Sequence, residues 1–569
     1  MSKRVRSSLD ADQARAVKLA LDGNNLFLTG PPGTGKSHTL GEIVKALVQK
    51  YGPESVLKTA PTGAAALLIQ GQTIHSSPGP GVPGGTVEQF KVMSKSNRWT
   101  KVKALIIDEV SMLDAEFFEW YIESLPTKKP QIILCGDFFQ LPPVGAGRTP
   151  DRMSNEDDLA RYVVEARQNG ASFKDATMER IKAMAVELHP GDEDGGWKMA
   201  SETTPFGLAE CKGKYIFQTF AFHSLDLKIV QLSQVYRTTD TVLLAAQRAI
   251  REGNLEDASV KTLVEETSRE LPEVEGVRPT RILPLKRDVA DINTFELSRL
   301  PGNTNMRFES KDSANPRHGS AAWVVDSLKK DAFFRTECQV DAVMDLRVGA
   351  QVILLRNESK EFGNLVNGSR GVVTGFAKQP PGYEGGAFTP ETSEDDESLS
   401  PQTFDLSCDE QAQFLYPVVR FSDGQVRLIL PHDFRKLAYG KGECVRKQLP
   451  LGLAWAVTVH KTQGASLDRA IVDLNGTFAE GQAYVGISRS RTLEGLQIRN
   501  FSESSVKTDP LVREFYAVLH DPSRLRAFFD QTGMWWGDAI AQSGDTKWIA
   551  LFRRHPSFKK WVSTRSSIA

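Results

Sequence analysis

The stretch Gly30–Ser37 (GPPGTGKS) decides the fold of this 569-residue chain. A short apolar run at residues 25–28 precedes it and predicts a strand, and the residues from Lys36 to about Val48 predict a helix. Strand, GxxxxGK[ST] and helix in this order form a phosphate-binding loop. Its glycines let backbone N–H groups turn toward phosphate oxygens, and the helix N-terminus adds positive potential. The sequence therefore predicts a nucleotide site in an α/β domain.

Each residue of this loop is a candidate for binding ATP. We expect Lys36 to reach the β- and γ-phosphates and the hydroxyl of Ser37 to bind Mg²⁺. Gln13, in the phrase LDADQ, is a candidate for binding the adenine edge, and an ordinary surface glutamine is the equal alternative. The nucleotide-binding candidates of the loop are Gly30, Pro31, Pro32, Gly33, Thr34, Gly35, Lys36 and Ser37.

Two further apolar runs end in polar residues. The run at 104–107 ends in Asp108 and Glu109, and the run at 132–135 ends in a Gly-Asp pair with Gln140 just beyond. Such runs are typical of buried parallel strands, whose carboxyl ends bind ligands in α/β sheets. We expect Asp108 to hold Mg²⁺ and Glu109 to deprotonate the attacking water. Gln140 is expected to contact both the γ-phosphate and that water.

Composition excludes several other classes of protein. Lys and Arg number 70 and Asp and Glu 71, so the net charge of −1 gives no general attraction to polyanions. No apolar run approaches the roughly 18 residues that a membrane span needs. The basic N-terminus lacks an apolar core, so we expect no secretory signal. The cysteines show no CxxC spacing and predict neither a zinc site nor a disulfide framework: Cys135, Cys211, Cys338, Cys408 and Cys444.

Two more motifs stand about 300 residues after the first three. They are His460–Gly464 (HKTQG) and Tyr484–Arg491 (YVGISRSR). At this distance they belong to a second domain that can close on the nucleotide. A nucleotide held between two lobes is the arrangement of a motor, because each hydrolysis cycle opens and closes the cleft. The sequence therefore predicts an ATP-driven motor on nucleic acid.

Together these motifs resemble the petite integration frequency (Pif) DNA helicases of superfamily 1, group B, from about Leu9 to Phe501. The resemblance implies two RecA-like P-loop NTPase domains, ATP and Mg²⁺ as cofactors, and 5′→3′ movement on single-stranded DNA with unwinding of duplexes. It also implies a role in DNA repair, recombination, replication or telomere maintenance. The supporting phrases are PTGAAA (Pro61–Ala66), GQTIHS (Gly71–Ser76), GDFFQLPPV (Gly136–Val144), VYR (Val235–Arg237), GAQVILLRN (Gly349–Asn357) and NGSRGVV (Asn367–Val373).

The resemblance implies a small inserted β-barrel, and the motif positions and the composition predict the rest of a domain organisation within an α/β fold. A small Src-homology-3-like β-barrel is expected inside the second lobe, and a helical extension is expected at the C-terminus. The expected boundaries are 1–224 for lobe one, with a DNA-contacting segment at about 71–103 and an insertion at about 145–210; 225–370 and 451–501 for lobe two; 371–450 for the barrel, with a disordered acidic loop at 379–419; and 502–569 for the extension.

Carried over from the family, Arg237 and Arg489 are arginine fingers contributed by the second lobe. Two guanidinium groups at the γ-phosphate stabilise transition-state charge only when the cleft is closed, which couples chemistry to motion. A surface ion pair is the alternative for either residue.

The same resemblance predicts a DNA track across both lobes. Hydroxyl, imidazole, amide and ammonium groups grip phosphates without reading sequence, which suits a motor that must accept any base. The DNA-binding candidates are Thr62, Thr73, His75, His460, Lys461, Thr462, Gln463 and Arg491. In the extension, residues 546–569 combine cations and aromatic rings without a carboxylate, so this tail is predicted to be either a DNA-binding strip or a packed extension of lobe two.

Three functions remain open at this point. The first is an ATP-dependent DNA helicase whose partners are single-stranded and forked duplex DNA, acting as a monomer with assembly on DNA left open. The second is an RNA-directed motor of the same superfamily, and the third is a nucleotide-switched scaffold that hydrolyses ATP without unwinding. We expect no membrane partner and an intracellular location, in the nucleus or mitochondrion of a eukaryotic cell.

Overall fold

The computed structural model of the chain contains two parallel β-sheets, one after the other along the sequence. Segments inserted between their strands form smaller sheets. None of the helices that the structure describes is long and apolar enough to cross a bilayer. The predicted tail at 546–569 and most of the insertion at 145–210 lie outside the described residues. Within that insertion, Ala185–Glu187 pairs antiparallel with Trp197–Met199. The structure describes residues 9–77, 99–126, 128–143, 185–187, 197–199, 214–274, 276–316, 322–335, 338–356, 365, 367–389, 402–407, 414–438, 442–463 and 465–532.

The first lobe is built on a six-stranded parallel sheet. Its central strands, such as Leu26–Thr29 and Ala104–Ile107, are buried at every position, as expected for a sheet covered on both faces. In spatial order the strands are Gln72–Thr73, Val56–Ala60, Ala104–Ile107, Gln131–Cys135, Leu26–Thr29 and Lys228–Gln231. The helices are Ala11–Leu21, Lys36–Tyr51, Gly63–Leu68, Ala115–Glu123 and Phe220–Ser224.

The second lobe has a four-stranded parallel sheet, so both lobes have the predicted α/β architecture. In spatial order its strands are Ala456–Thr458, Thr280–Leu283, Ala470–Asp473 and Leu496–Arg499. Its helices are Thr241–Glu252, Ala258–Glu266, Lys286–Ser298 and Gln482–Ile487.

The predicted boundary between the lobes at residues 224 and 225 is wrong. The strand Lys228–Gln231 pairs in parallel with Leu26–Thr29 and so forms the edge of the first sheet. The backbone N–H of Leu232 continues this ladder, donating to the carbonyl of Thr29 at 2.8 Å. Val230 and Leu232 are buried against the first lobe, which explains why this strand stays with it.

The predicted boundaries of the β-rich insert are also wrong. Its main sheet is antiparallel and begins at residue 351, because Gln351–Leu354 pairs with both Arg370–Lys378 and Leu451–Leu453. Its strands in spatial order are Val426–Leu428, Leu415–Phe421, Arg370–Lys378, Gln351–Leu354 and Leu451–Leu453. Two smaller sheets adjoin it, formed by Val343–Leu346, Met306–Glu309 and Gln402–Asp405, and by Lys311–Pro316, Gly442–Gln448 and His432–Ala438, with the helix Ala322–Lys329.

The acidic segment 379–419 is not disordered throughout, contrary to expectation. Its residues Gln402–Asp405 form a strand parallel to Met306–Glu309. Phe404 is buried there, with its ring 5.3 Å from that of Phe308 and 5.0 Å from that of Phe414. The composition is acidic on average, yet these apolar side chains provide enough burial to fix a strand.

The described part of the C-terminal extension is helical, and it packs against lobe one. The helices are Pro510–Val518 and Pro522–Thr532. Asp509 caps the first of them by accepting from the N–H of Leu511, and Pro510 occupies the first turn. Phe515 is fully buried, and its ring stacks on that of Phe217 with centroids 4.2 Å apart. The described part of the extension therefore completes the core of lobe one.

Replacing Phe515 with alanine is expected to destabilise the first lobe by about 3–5 kcal/mol, the usual cost of removing a buried phenylalanine. The ring also packs on Phe27, Phe138 and Phe222, so the cavity would open beside the nucleotide site. Thermal unfolding measures the effect. Phe295→Ala, at a side chain that is 60% exposed, is the matched control and should leave the melting temperature nearly unchanged. Equal melting temperatures for the two variants would contradict the packing described here.

Candidate nucleotide-binding cleft

The glycine loop adopts a conformation that only glycine tolerates at three positions. Gly30, Gly33 and Gly35 have φ angles of 142°, 82° and 86°, in the left-handed region. Space is restricted as well: a Cβ at Gly33 would lie 2.6 Å from Cβ of Arg237, and one at Gly35 would lie 2.7 Å from Nε2 of Gln13. The loop is thus fixed by close approach from two other segments.

Lys36 starts the helix Lys36–Tyr51 and turns back onto the loop. Its ammonium donates to the carbonyls of Gly30 at 2.6 Å and Pro31 at 3.1 Å. Burial lowers the pKa of this lysine, and the negative charge of Asp137 acts in the opposite direction. A buried ammonium bonded only to neutral carbonyls has a strong electrostatic preference for an anion, which is the property that a phosphate site needs.

Two carboxylates follow the strand Ala104–Ile107, as the sequence predicted. One oxygen of Asp108 accepts the backbone N–H of Glu109 at 2.9 Å. Glu109 has a φ of 50°, an uncommon left-handed conformation for a residue with a side chain. Burial and the charge of Asp108 raise the pKa of Glu109 to about 7, and burial raises the pKa of Asp108. The pKa of Glu109 therefore lies near neutral pH, where a general base works best.

Glu109 has a partner from the second lobe. Nε2 of Gln463 donates to its carboxylate at 3.0 Å. This hydrogen bond favours the charged carboxylate and so partly offsets the rise of the Glu109 pKa. Gln463 was predicted to bind DNA, and the structure instead places it at the candidate catalytic base.

Arg489 is held at the cleft by neutral groups. It is 1% exposed, and Nε donates to the carbonyl of Val485 at 2.8 Å. Nη1 donates to the carbonyls of Thr462 at 3.3 Å and Ala465 at 3.4 Å. Burial lowers the pKa of Arg489 to about 10, and the charge of Glu109 opposes this change. The guanidinium is thus positioned in advance by the helix Gln482–Ile487 and the HKTQG segment.

Arg237 does not come from the body of the second lobe, contrary to expectation. It follows the last strand of the first sheet, and the neighbouring N–H of Tyr236 donates to the carbonyl of Gly33 at 2.7 Å. Its Nη1 donates to the carbonyl of Ser488 in the second lobe at 2.7 Å. Burial and the nearby charge of Arg489 lower the pKa of Arg237 to about 9. Arg237 is therefore carried by the connection between the lobes.

Both lobes line one cleft of about 500 Å³. It brings together most of the predicted ATP-site residues, and Arg491 joins them although it was predicted to bind DNA. Arg491 also forms an ion pair with Asp468 at 3.3 Å. The lining residues are Pro32, Gly33, Gly35, Lys36, Ser37, His38, Glu109, Gln140, Tyr236, Arg237, Ser466, Arg489 and Arg491.

Gln13 supports the loop and does not line this cleft. Its Nε2 donates to the carbonyl of Thr34 at 3.3 Å, and its Oε1 accepts the N–H of Asp10 at 3.3 Å. The side chain is 3% exposed. The predicted contact with adenine stays a prediction, whereas the contact with the loop is observed.

The structure argues against DNA contacts for two of the predicted residues. Thr73 lies in the edge strand Gln72–Thr73 and is 3% exposed. Thr462 is 2% exposed, and its hydroxyl donates to the carbonyl of Val459 at 2.7 Å. Both side chains are used inside the protein, so neither offers a surface to a phosphate.

Four of the DNA candidates have accessible side chains. His75 is exposed, with its ring 4.2 Å from that of Phe117, and Lys461 is exposed. Thr62 and His460 are half-buried. Burial and the charge of Lys286 lower the pKa of His460, which favours the neutral ring. The DNA contacts of these four residues stay predictions.

Three residues that the structure places behind or in the cleft had no role predicted from the sequence. Tyr236 lines it, and Asp137, adjacent in sequence to a predicted strand end, forms a buried ion pair with Arg251 from the second lobe at 2.9 Å. Asp137 stood within a quoted motif, which is a signal that could have found it. Arg251 stands in no motif and could not have been found in this way.

Comparison with known proteins decides the family. Residues 8–199 match the family model described as an AAA domain, and residues 334–376 match the 2B domain of DNA helicase Pif1. The chain is 31% identical over 539 residues to the ATP-dependent DNA helicase PIF1 of Xenopus laevis, covering 92% of this chain and 66% of that protein. The human protein of the same name is 30% identical over 528 residues, with 90% and 64% covered. The chain belongs to the Pif1 helicase family.

Solved Pif1 structures support the same fold. The Pif1 helicase of Candida albicans is 26% identical with a TM-score of 0.59, and the match covers 90% of this chain and all of that one (100%). Pif1 of a Bacteroides species in complex with ADP-AlF4 is 22% identical with a TM-score of 0.58, covering 91% and 99%, and supports the fold alone. The resemblance drawn from the motifs and the α/β class are confirmed. The chain spans about two thirds of the length of its curated Pif1 relatives, as the shares of 66% and 64% show.

Proposed function

We propose that this chain is an ATP-dependent DNA helicase that moves 5′→3′ on single-stranded DNA and unwinds duplexes. The observation that carries the proposal is the cleft itself, where Lys36 and Glu109 from lobe one face Arg489 from lobe two. A site completed only by contact between lobes makes hydrolysis depend on closure, and closure moves the lobes. The relatives named above are ATP-dependent DNA helicases, which agrees with this function.

The donor set at the cleft fits Mg²⁺ bound together with a nucleotide. Ser37 lines the cleft, and Asp108 is a buried carboxylate beside it. No cluster of three or more His, Cys, Asp or Glu side chains suited to a metal occurs among the residues described. Magnesium commonly uses one or two protein oxygens together with substrate phosphates, so a hydroxyl and a carboxylate suffice. The ion, when bound, would neutralise charge between the phosphates.

Tyr236 is our candidate for the base of the nucleotide. Tyr236 lines the cleft, and its hydroxyl lies within hydrogen-bond distance of the Asp10 carboxylate and of Oε1 of Gln234. These bonds fix the ring beside the glycine loop, where a flat aromatic face suits stacking of adenine. Because Gln13 bonds to the loop, we assign the base contact to Tyr236 first.

The HKTQG segment offers a route from DNA to hydrolysis. Its short 3₁₀ turn His460–Thr462 carries the exposed Lys461, and the next residue, Gln463, bonds to Glu109. A phosphate bound at Lys461 would therefore act two residues from the partner of the catalytic base. We propose that this connection makes the ATPase dependent on single-stranded DNA.

Strand displacement on tailed duplexes tests the proposal. With ATP and Mg²⁺, the chain should unwind a duplex with a 5′ single-stranded tail and leave a 3′-tailed duplex intact. Matched RNA forks should be poor substrates. Unwinding only from 3′ tails would overturn the polarity, and a preference for RNA would replace DNA as the substrate. ATP hydrolysis without any strand separation would favour a nucleotide-switched scaffold.

We propose single-stranded and forked DNA as partners and the monomer as the motor unit. Affinity for single-stranded DNA should fall with salt, with log K decreasing by about 0.7 per neutralised phosphate for each tenfold rise in salt. In a eukaryotic cell this activity belongs where DNA is, in the nucleus or the mitochondrion.

The pKa of Glu109 predicts a pH profile for the ATPase. The base acts as the carboxylate, so kcat/KM for ATP, which reports the pKa of the free enzyme, should rise with pH through a limb near 7 under saturating single-stranded DNA. Gln463→Ala removes a hydrogen bond that favours the carboxylate, so the limb should move to higher pH. Gln425→Ala, on the distant β-rich insert, is the matched control. A limb that stays in place in Gln463→Ala would show that this amide does not tune the base.

A further inference from the structure

The helix Pro510–Val518 inserts one side chain behind the nucleotide cleft. The hydroxyl of Tyr516 lies 2.6 Å from Oγ1 of Thr29, the last residue of the strand that leads into the glycine loop. It accepts the N–H of Phe138 at 3.2 Å and donates to the carboxylate of Asp137 at 3.3 Å. Its ring stacks on that of Phe139 with centroids 5.0 Å apart. A residue from the C-terminal extension thus contacts three consecutive residues of the GDFFQ motif.

Arg251 reaches the same carboxylate from the second lobe. Its Nη2 lies 2.9 Å and its Nε 3.4 Å from the two oxygens of Asp137. Asp137 is fully buried and Arg251 is 7% exposed. The guanidinium lies over the rings of Phe139 at 4.0 Å and Tyr516 at 5.0 Å. This is a desolvated two-point ion pair with cation–π contacts to two stacked rings, and it joins the two lobes.

Asp137 in turn shapes the segment that carries Gln140. Its carbonyl accepts the N–H of Gln140 at 2.9 Å, and its carboxylate accepts the N–H of Phe139 at 3.3 Å. Gly481 of the second lobe lies against the same segment. It is the N-cap of the helix Gln482–Ile487, which leads to Arg489. A Cβ at Gly481 would lie 2.6 Å from the carbonyl oxygens of Phe139 and Gln140. The turn 137–140 is thus in contact with both lobes.

The segment 507–509, which leads from the second lobe into the helix Pro510–Val518, is hydrogen-bonded to both lobes. The carbonyl of Lys507 accepts the N–H of Gly481 at 2.9 Å. Asp509 accepts the hydroxyl of Tyr215 in lobe one at 3.0 Å and the ammonium of Lys214 at 3.3 Å. Thr508 donates to the carbonyl of Ile250, next to Arg251, at 3.3 Å. The position of Tyr516 is therefore coupled to both lobes through its own backbone.

We propose that Arg251 and Tyr516 are positioning residues that clamp Asp137 and thereby align Gln140 with Arg489 when the cleft closes. The inference rests on the proposed ATP-dependent function and adds to it, because it makes the C-terminal helix part of the ATPase unit. Neither side chain lines the cleft, so both act through the turn 137–140 and not on the nucleotide. Loss of the clamp should therefore affect turnover more than binding.

Two conservative variants test the clamp. Tyr516→Phe keeps the stacked ring and removes only the hydroxyl. Arg251→Lys keeps the charge and removes the two-point geometry. Each should lower kcat of the DNA-stimulated ATPase by about tenfold, with KM for ATP changed by less than about twofold. Tyr383→Phe is the matched control, since it also removes a hydrogen-bonded tyrosine hydroxyl, here one that donates to the backbone carbonyls of the β-rich insert at Gly386 and Leu428.

Hydrogen exchange on the intact chain gives a second readout that needs no activity. Backbone amides of residues 138–140 should exchange faster in Tyr516→Phe and Arg251→Lys than in the wild type or in Tyr383→Phe. Unchanged exchange and kcat in Tyr516→Phe would overturn the clamp. A lower melting temperature together with a lower kcat and a higher KM would also overturn it, because a general loss of packing explains that result. A wild type without DNA-stimulated ATPase would refute the proposed function, and the exchange data would still decide the clamp.

Discussion

Glu109→Gln should bind ATP with nearly wild-type affinity and hydrolyse it about 10³-fold more slowly, a typical loss when a general base is removed. The amide keeps the shape of the side chain and an oxygen that can accept from Gln463, so the cleft should stay intact. It cannot take a proton from water. Binding of a fluorescent ATP analogue and kcat under saturating single-stranded DNA measure the two effects separately.

The matched control for this variant is Glu265→Gln. Glu265 lies on the helix Ala258–Glu266 with 65% of its side chain exposed, and its ion pair with Lys261 is long, at 4.0 Å. An exposed pair of this kind contributes little, so turnover should be unchanged. Near wild-type hydrolysis by Glu109→Gln would assign the base to another residue.

The residues that the sequence predicted well are those whose chemistry is contiguous in the chain. The glycine loop, Lys36 and Ser37 lie between a strand and a helix that follow each other directly, so the pattern fixes their geometry. Asp108 and Glu109 follow an apolar strand in the same way. In both cases the local backbone alone decides where the functional groups point.

The direction of side chains within a short turn was not predictable. His460–Thr462 is one turn of 3₁₀ helix, and the residues in and after it face three environments. Lys461 faces solvent, Thr462 is buried, and Gln463 meets Glu109. A motif assigned as a whole to DNA gave all of these residues one role, because sequence does not show the rotation of a single turn.

Contacts between distant segments were also beyond the sequence. Asp137 and Arg251 are 114 residues apart, and Phe138 and Tyr516 are 378 apart. The pattern of the helix Pro510–Val518 shows one apolar face but does not show which lobe covers it. The strand Lys228–Gln231 carries Lys228, Ile229, Val230 and Gln231, too short a pattern to show which sheet it joins. Tertiary burial decided each of these cases.

The electrostatics of the cleft explain why it suits a polyphosphate. Burial lowers the pKa of Arg237 to about 9 and that of Arg489 to about 10, and the charge of Arg489 adds to the lowering at Arg237. Within the described residues, their hydrogen bonds go to carbonyls and one hydroxyl, and Glu109 is the nearby carboxylate that favours the charge of Arg489. Two desolvated cations with so little compensation favour an added anion strongly. That gain is largest where negative charge develops, in the transition state.

Arg489→Ala should therefore lower kcat by about 10³-fold or more while ATP binding falls only modestly, as expected of an arginine finger. Arg489→Lys should recover little, because an ammonium cannot reproduce the planar fork that bonds Val485, Thr462 and Ser488. DNA-stimulated turnover and nucleotide affinity are measured on the same preparations. Arg248→Ala, at a side chain that is 81% exposed on the helix Thr241–Glu252, serves as the control and should keep both. A variant that loses ATP affinity and keeps kcat would give Arg489 a ground-state role and exclude the finger, since a finger acts only on the charge that forms after the lobes close.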